Sequence, residues 1–176
     1  EMQDYFKNIP EIQFEGENSD NPLAFKFYDE NKTILGKSMK EHFRFATCYW
    51  HTFTWPGLDP FGGQTFQRPW MGSGDPIKMA EQKLNCAFDF FTKIKTPFFC
   101  FHDRDIAPEG SNYKETQKNF MHIIDLMENK IEETGMKLLW GTANAFSHKR
   151  YMSGASTNPD PEVFAYKAAQ VKDCMD

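Results

Sequence analysis

The sequence predicts an α/β protein built around a parallel β-sheet. Three short apolar runs, at 44–51, 98–101 and 137–140, have the length and composition of strands. A segment with the apolar spacing of an amphipathic helix follows each run, at 77–94, at 113–133 and from Pro161 onward. Strands that alternate with helices in this way favour parallel pairing, in either an open doubly wound sheet or part of a barrel.

The first 42 residues predict an irregular N-terminal arm, and residues 43–176 form the α/β region. Pro10, Gly16 and the ENSDNP run at 17–22 interrupt the arm, which has no sustained hydrophobic period. A short helix is predicted over 37–45, leading into the first strand. A loop rich in Gly, Pro and aromatic residues then spans 55–74.

End signals define the three helices. Asp75 and Pro76 are typical of an N-cap and a first helical residue, and they precede the helix at 77–94. Gly135 is the expected stop of the second helix, and Asp160 the expected cap of the third. The second strand is predicted to end at Phe101 and the third at Trp140, each with a polar loop behind it.

Composition excludes several classes of protein. The 176 residues carry 25 acidic and 20 basic side chains, a net charge of −5, so no basic surface for nucleic acid is expected. No apolar run is long enough to span a membrane and no signal-peptide pattern is present, which predicts a soluble cytoplasmic protein with no membrane partner. The four cysteines are widely spaced among apolar neighbours and are predicted to be buried thiols.

Polar and aromatic residues follow all three predicted strands. Because the carboxyl ends of parallel strands meet at one edge, these residues are expected to converge on one pocket. After the first strand come Trp50, His51 and Phe61; after the second, His102 and Asp105; after the third, Thr142, Asn144, Phe146 and His148.

His102 and Asp105 have two open interpretations. A carboxylate that accepts from one imidazole nitrogen fixes the tautomer and leaves the other nitrogen free to move a proton. The same H-x-x-D spacing is also typical of a capped turn. Asp103, Asp105 and Glu109 share the segment with Arg104, and their charges are explained by turn chemistry and helix ends, so no metal site is predicted within the chain.

The aromatic residues before the first long helix also have two interpretations. Aromatic rings here could form core packing or a wall for the apolar face of a sugar. The residues concerned are Trp50, Trp55, Phe61, Phe66 and Trp70. No phosphate-binding or dinucleotide-binding glycine motif and no G-x-S-x-G element is present.

Four segments resemble xylose isomerase, of the longer class with an N-terminal arm. They are NPLAFKFY at 21–28, FRFATCYWHTFTWPGLDPFGGQTFQRPW at 43–70, FFCFHDRDIAPEG at 98–110 and the 36-residue stretch at 137–172. The resemblance is to the N-terminal part of the family. It implies the first three βα units of a TIM (β/α)8 barrel, preceded by the irregular arm.

The resemblance also implies a reaction, the interconversion of D-xylose and D-xylulose, with D-glucose as a further candidate substrate. It assigns ring opening to His102, oriented by Asp105, followed by a 1,2-hydride shift assisted by two divalent cations, Mg or Mn and sometimes Co. In the family those cations are bound by residues of later strands, so the expected metal ligands in this chain are none.

Substrate contacts are implied at four further positions. Trp50 resembles the family's sugar-stacking tryptophan, while Thr142 and Phe146, in TAN-x-F, resemble residues that line the sugar site. Phe61, in DPFG, resembles the phenylalanine that enters the neighbouring subunit's site, which implies a homo-oligomer, by family resemblance a tetramer.

These correspondences predict that the chain is the N-terminal part of a longer enzyme. It would then need the C-terminal remainder of the barrel and be inactive alone. Two alternatives stay open: an isomerase or epimerase for another sugar, and a non-catalytic assembly or sugar-binding remnant of the same barrel.

Overall fold

A computed structural model describes residues 5–72 and 74–176 as a mixed α/β fold with a three-stranded parallel sheet. The elements are β1 (Thr33–Ile34), β2 (Lys37–Ser38), α1 (Met39–His42), β3 (Ala46–Cys48), α2 (Pro76–Ile94), β4 (Phe98–His102), α3 (Asp103–Ile106), α4 (Tyr113–Thr134), β5 (Lys137–Thr142) and α5 (Pro161–Met175). The sheet order is β3-β4-β5, all parallel. This order confirms the predicted parallel α/β class and is compatible with the start of a TIM barrel.

The arm is largely irregular, but it contains one antiparallel hairpin, β1–β2, and the short helix α1. Residues 1–4 of the predicted arm lie outside the described residues. The arm packs at the amino-terminal end of the sheet, where Ile12 N donates to Lys93 O at 2.7 Å. Tyr28 contacts Phe45 edge to face at 5.3 Å between centroids. The arm therefore covers the end of the strands opposite to His102.

The predicted helix ends are confirmed. Asp75 Oδ1 accepts from the backbone N–H groups of Ile77 and Lys78, which are unpaired at a helix start. Gly135 caps α4 with a φ of 70°, a conformation that glycine adopts without steric cost. Asp160 caps α5 by accepting from Glu162 N.

The first predicted strand, 44–51, is wrong at both ends. Only Ala46–Cys48 is extended, and the chain turns into a π-helical segment at Trp50–Thr54. Trp55 N donates to Trp50 O at 2.6 Å, closing this turn. A short run of aromatic and β-branched residues does not distinguish a strand from a helical turn by period alone. The predicted helix at 37–45 likewise shortens to α1.

The third predicted strand extends to Thr142, and all six of its residues are exposed. The run is apolar, but the strand lies at the edge of the sheet, where, among the described residues, only one neighbouring strand pairs with it. Its pairing with β4 contains one irregularity: Phe99 pairs with Leu138, but Cys100 pairs with Trp140. Leu139 is therefore an extra residue, a β-bulge.

The core lies between the sheet and its helices. Phe99 is fully buried and stacks on Phe91 of α2 at 5.5 Å, with Phe88 edge-on at 5.2 Å. Phe120 and Ile123 of α4 join the same cluster. The opposite face of β4 carries Cys100 and His102, because side chains alternate along a strand. Each helix within 5–72 and 74–176 is too short or too polar to cross a bilayer.

All four cysteines are free, and Cys86 and Cys100 are buried as predicted, whereas Cys48 and Cys174 are half-buried. Burial raises the pKa of the Cys86 thiol to about 12, and the charge of Asp89 adds to this effect. At pH 8 the thiolate, the reactive form, is thus about a thousandfold scarcer at Cys86 than at a thiol with the ordinary pKa.

We therefore expect iodoacetamide at pH 8 to label Cys86 about a thousandfold more slowly in native protein than in urea. Because a raised pKa keeps the proton bound, the native rate should rise about tenfold per pH unit above pH 8 over the range in which the protein stays folded. Peptide mass spectrometry measures both rates, with half-buried Cys48 as the internal control. Equal native labelling of Cys86 and Cys48 would contradict the prediction.

Candidate active site

His102 and Asp105 form a hydrogen-bonded pair at the carboxyl end of β4. His102 Nδ1 and Asp105 Oδ2 are 2.8 Å apart, and both side chains are largely buried. An ionised carboxylate only accepts, so Nδ1 carries a proton and Nε2 remains available to a ligand. The pair that the sequence predicted is therefore assembled.

The local backbone explains why this pair forms. β4 ends at His102 and the single helical turn α3 begins at Asp103. Asp105 Oδ2 also accepts from the backbone N–H of His102 at 2.9 Å, in the geometry of a capping box. One carboxylate thus fixes both the helical turn and the imidazole ring. Both features that the sequence allowed, a capped turn and a histidine contacted by a carboxylate, are therefore present at the same time.

Three aromatic rings surround His102, and we name Trp50, Trp140 and Phe146 the aromatic cluster. The His102 ring centroid lies 4.8 Å from Trp50, 5.3 Å from Phe146 and 6.0 Å from Trp140. Trp50 and Trp140 also contact each other at 5.4 Å. The structure thus brings together predicted site residues from the ends of three strands.

Trp140 is a site residue that the sequence analysis missed. It was predicted only as part of a strand. The bulge at Leu139 pairs Trp140 with Cys100, and residues paired across a sheet share a face. Trp140 therefore lies on the same face of the sheet as His102. Regular alternation starting from Lys137 would instead have placed Trp140 on the opposite face.

Thr142 and Phe61 lie in different places. Thr142 pairs with His102 across β4 and β5, so it lies on the same face at the edge of the site. Phe61 lies in a turn closed by Asp59 and Gly62, with its side chain 97% exposed. The structure does not bring Phe61 to the aromatic cluster of its own chain.

Lys83 is connected to Asp105 through Thr54. Lys83 Nζ of α2 donates to Thr54 Oγ1 at 3.3 Å, and Thr54 Oγ1 donates to the Asp105 carbonyl at 3.2 Å. Removal from water lowers the pKa of the Lys83 ammonium to about 8, although the negative charge of Asp105 opposes this shift. Sequence reasoning placed Lys83 on a helix and gave it no role.

The described residues do not form a metal site by themselves. Within 5–72 and 74–176, no group of three or more His, Cys, Asp or Glu side chains could hold a metal ion. Asp103 and Asp105 belong instead to separate hydrogen-bond networks, Asp105 with His102 and Asp103 with Asn144 and Gln170. Asn144 was expected in the loop after the third strand, whereas no sequence pattern indicated a role for Gln170.

Comparison with known proteins gives one consistent result, although no protein-family model matches the chain. A xylose isomerase of Photobacterium profundum is 61% identical over 174 residues, which are 99% of this chain and 40% of that protein. Those of Paraburkholderia phytofirmans and Roseobacter denitrificans are 58% and 54% identical over 98% and 99% of the chain.

The chain spans about 40% of the length of these curated relatives. This share is consistent with the N-terminal portion that the sequence motifs resemble. These relatives are 54–61% identical to the chain over nearly its whole length, and His102 and Asp105 form a hydrogen-bonded pair in it. The chain therefore belongs to the xylose isomerase family.

Proposed function

We propose that this chain is the N-terminal part of a (β/α)8 xylose isomerase, in which it opens the ring of D-xylose and binds the sugar. The observation that carries the proposal is the 2.8 Å contact between His102 Nδ1 and Asp105 Oδ2 at a strand end faced by three aromatic rings. The carboxyl ends of strands are where parallel α/β folds hold their active sites.

Ring opening requires one proton to arrive and one to leave. The bond between C1 and the ring oxygen of the cyclic sugar breaks, the ring oxygen gains a proton, and the C1 hydroxyl loses one. In our proposal, protonated His102 donates from Nε2 to the ring oxygen, while Asp105 stabilises the imidazolium through Nδ1. The C1 hydroxyl proton leaves to water or to a group outside this chain.

The aromatic cluster supports binding of a sugar. Trp50 and Phe146 present ring faces and edges beside His102, and aldose C–H groups pack on aromatic rings while hydroxyls seek polar partners. Thr142, in register with His102, supplies a hydroxyl at the same edge. D-Xylose, D-xylulose and D-glucose share these features, so the cluster does not choose among them.

The family resemblance implies two divalent cations, Mg or Mn with Co as a further candidate. When bound, such ions polarise sugar oxygens as Lewis acids. We propose that their ligands lie in the part of the relatives that this chain does not match. Phe61 fits this assembly as a residue that enters the site of a neighbouring subunit in a cytoplasmic homotetramer, since it is almost fully exposed here.

The proposal is tested with a full-length fusion in which this chain replaces the matching portion of the Photobacterium profundum relative. We expect the fusion to convert D-xylose to D-xylulose and the chain without the remainder to be inactive. Parallel assays with D-glucose and L-rhamnose distinguish an isomerase for another sugar. A folded fusion that converts none of the three would contradict the proposal and favour a non-catalytic assembly role.

Within this fusion, Trp50→Ala should raise KM for D-xylose about tenfold, because an aromatic contact contributes about 0.5–1.5 kcal/mol beyond its buried area. Trp50→Phe retains a ring beside His102 and is the control; it should recover most of the loss. Steady-state kinetics measure both variants. Equal KM values for the alanine and phenylalanine variants would contradict a stacking role for Trp50.

A further inference from the structure

The residue next to His102, Asp103, is a buried carboxylate with no part in the acid–base pair. It is 1% exposed. Asp103 Oδ1 accepts from Arg104 N at 2.8 Å and from Asn144 N at 2.7 Å, while Oδ2 accepts from Gln170 Nε2 at 2.6 Å. Burial of a charge is costly unless donors or an opposite charge surround it; here these three donors, the Cys174 thiol and the Arg104 guanidinium, whose Nη1 lies 3.6 Å from Oδ2, meet that need.

One of these donors belongs to the loop that carries Phe146. Asn144 is itself buried, and its Oδ1 accepts from Phe146 N at 3.1 Å and from Ser147 N at 2.9 Å. Its Nδ2 donates to Ser147 Oγ at 2.8 Å. The loop is thus closed on Asn144, and Asn144 is attached to Asp103.

Gln170 of α5 hydrogen-bonds both to the same loop and to Asp103. Its Nε2 donates to Asp103 Oδ2 and, at 2.9 Å, to the Asn144 carbonyl. Its Oε1 accepts from Tyr151 OH at 2.5 Å. Both backbone polar groups of Asn144 therefore bind this network, the N–H to Asp103 and the carbonyl to Gln170.

Phe146 depends on this attachment because its own side chain is poorly packed. The ring is 66% exposed, and its contact with His102 is edge to face at 5.3 Å. A ring with so little surrounding contact takes its position from its backbone. That backbone is fixed by Asn144, which Asp103 holds.

We propose that Asp103 is a positioning residue whose carboxylate fixes the loop after β5 so that the ring of Phe146 lies against His102. A carboxylate is required because donors converge on both of its oxygens, whereas an asparagine has a single acceptor oxygen and would direct its own N–H groups at some of these donors. The link from Phe146 to sugar binding rests on the proposed function; the link from Asp103 to the loop does not.

The test uses the fusion with Asp103→Asn and measures amide hydrogen exchange over residues 143–147 by mass spectrometry. We expect exchange there to accelerate about ten- to a hundredfold, the effect of losing a hydrogen bond to a charged group. Asp173→Asn is the matched control, since the Asp173 carboxylate lines the same small cavity as Asp103 but accepts from Tyr113 OH and Gln117 Nε2, neither of which belongs to this loop. It should leave exchange at 143–147 unchanged. If Asp103→Asn does not fold, Gln170→Met replaces it and should show the same acceleration.

Kinetics supply the second measurement. Asp103→Asn should raise KM for D-xylose several-fold with a smaller change in kcat. When Phe146→Ala is already present, adding Asp103→Asn should raise KM further by less than about twofold, because both changes act through the same ring. Unchanged exchange at 143–147 overturns the proposal. Faster exchange with an unaltered KM, in an active fusion, overturns the role in substrate positioning.

Failure of the proposed function is distinguishable from failure of this inference. Binding of xylitol to the fusion is measured by tryptophan fluorescence. If the fusion with Asp103 intact neither isomerises D-xylose nor binds xylitol, the proposed function has failed. The exchange measurement needs no substrate. In that case faster exchange in Asp103→Asn still supports Asp103 as the anchor of the loop, and unchanged exchange still rejects it.

Discussion

His102→Gln in the fusion is expected to lower kcat/KM for D-xylose by about 10²–10⁴-fold, the range that general acid–base catalysis contributes. Glutamine retains a polar side chain of similar reach but cannot hold a transferable proton on Nε2. The Asp105 carboxylate, which accepts from the imidazole at 2.8 Å, would then lack the ring that it orients. Xylulose formation under steady-state conditions measures the loss.

A matched control exists for this substitution. His122 on α4 also contacts a carboxylate, Glu81, at 2.7 Å, but on the exposed surface between α2 and α4. His122→Gln should leave kcat/KM within about twofold, because surface ion pairs contribute little. Comparable activity of the His102 and His122 variants, with both folded by circular dichroism, would reject His102 as the ring-opening acid.

Phe99→Ala should lower the free energy of unfolding by about 3–5 kcal/mol, the usual effect of removing a fully buried aromatic ring. Phe99 is 0% exposed and lies between Phe88 and Phe91 of α2, with Phe101 stacked beside it at 6.2 Å. Truncation leaves a cavity where the central strand meets its helix. Urea unfolding of the fusion, followed by circular dichroism, measures the change.

The control for this variant is Phe27→Ala in the arm. Phe27 is 80% exposed, so the same truncation removes few contacts and should change the free energy of unfolding by less than about 0.5 kcal/mol. A similar midpoint for both variants would show that β4 and α2 do not form the stabilising core.

The helices were predictable because their signals are local. α2, α4 and α5 begin and end where Asp75, Gly135 and Asp160 indicate. The first strand was not predictable to the residue, since the aromatic run around Trp50 fits either an extended chain or a helical turn. The exposure of β5 follows from its place at the edge of the sheet, which no local pattern records.

The candidate site divides in the same way. His102 and Asp105 lie three positions apart, so sequence spacing alone suggested their contact. The bonds of Asp103 reach Asn144 and Gln170, 41 and 67 positions away, and depend on how β5 and α5 pack. The spacing of residues along the chain carries no information about such contacts.

The extra residue in β5 has a consequence for how this pocket can change. Regular pairing would place Leu139 opposite Cys100, and the observed pairing places Trp140 there instead. Side-chain direction reverses with every single-residue shift in register. Deletion of the unpaired Leu139 would restore regular pairing and leave Trp140 opposite Cys100, whereas deletion of Trp140 would bring Leu139 there and place an aliphatic chain beside His102. The side chains that β5 presents beside His102 therefore depend on the number of residues in the strand as well as on their identity.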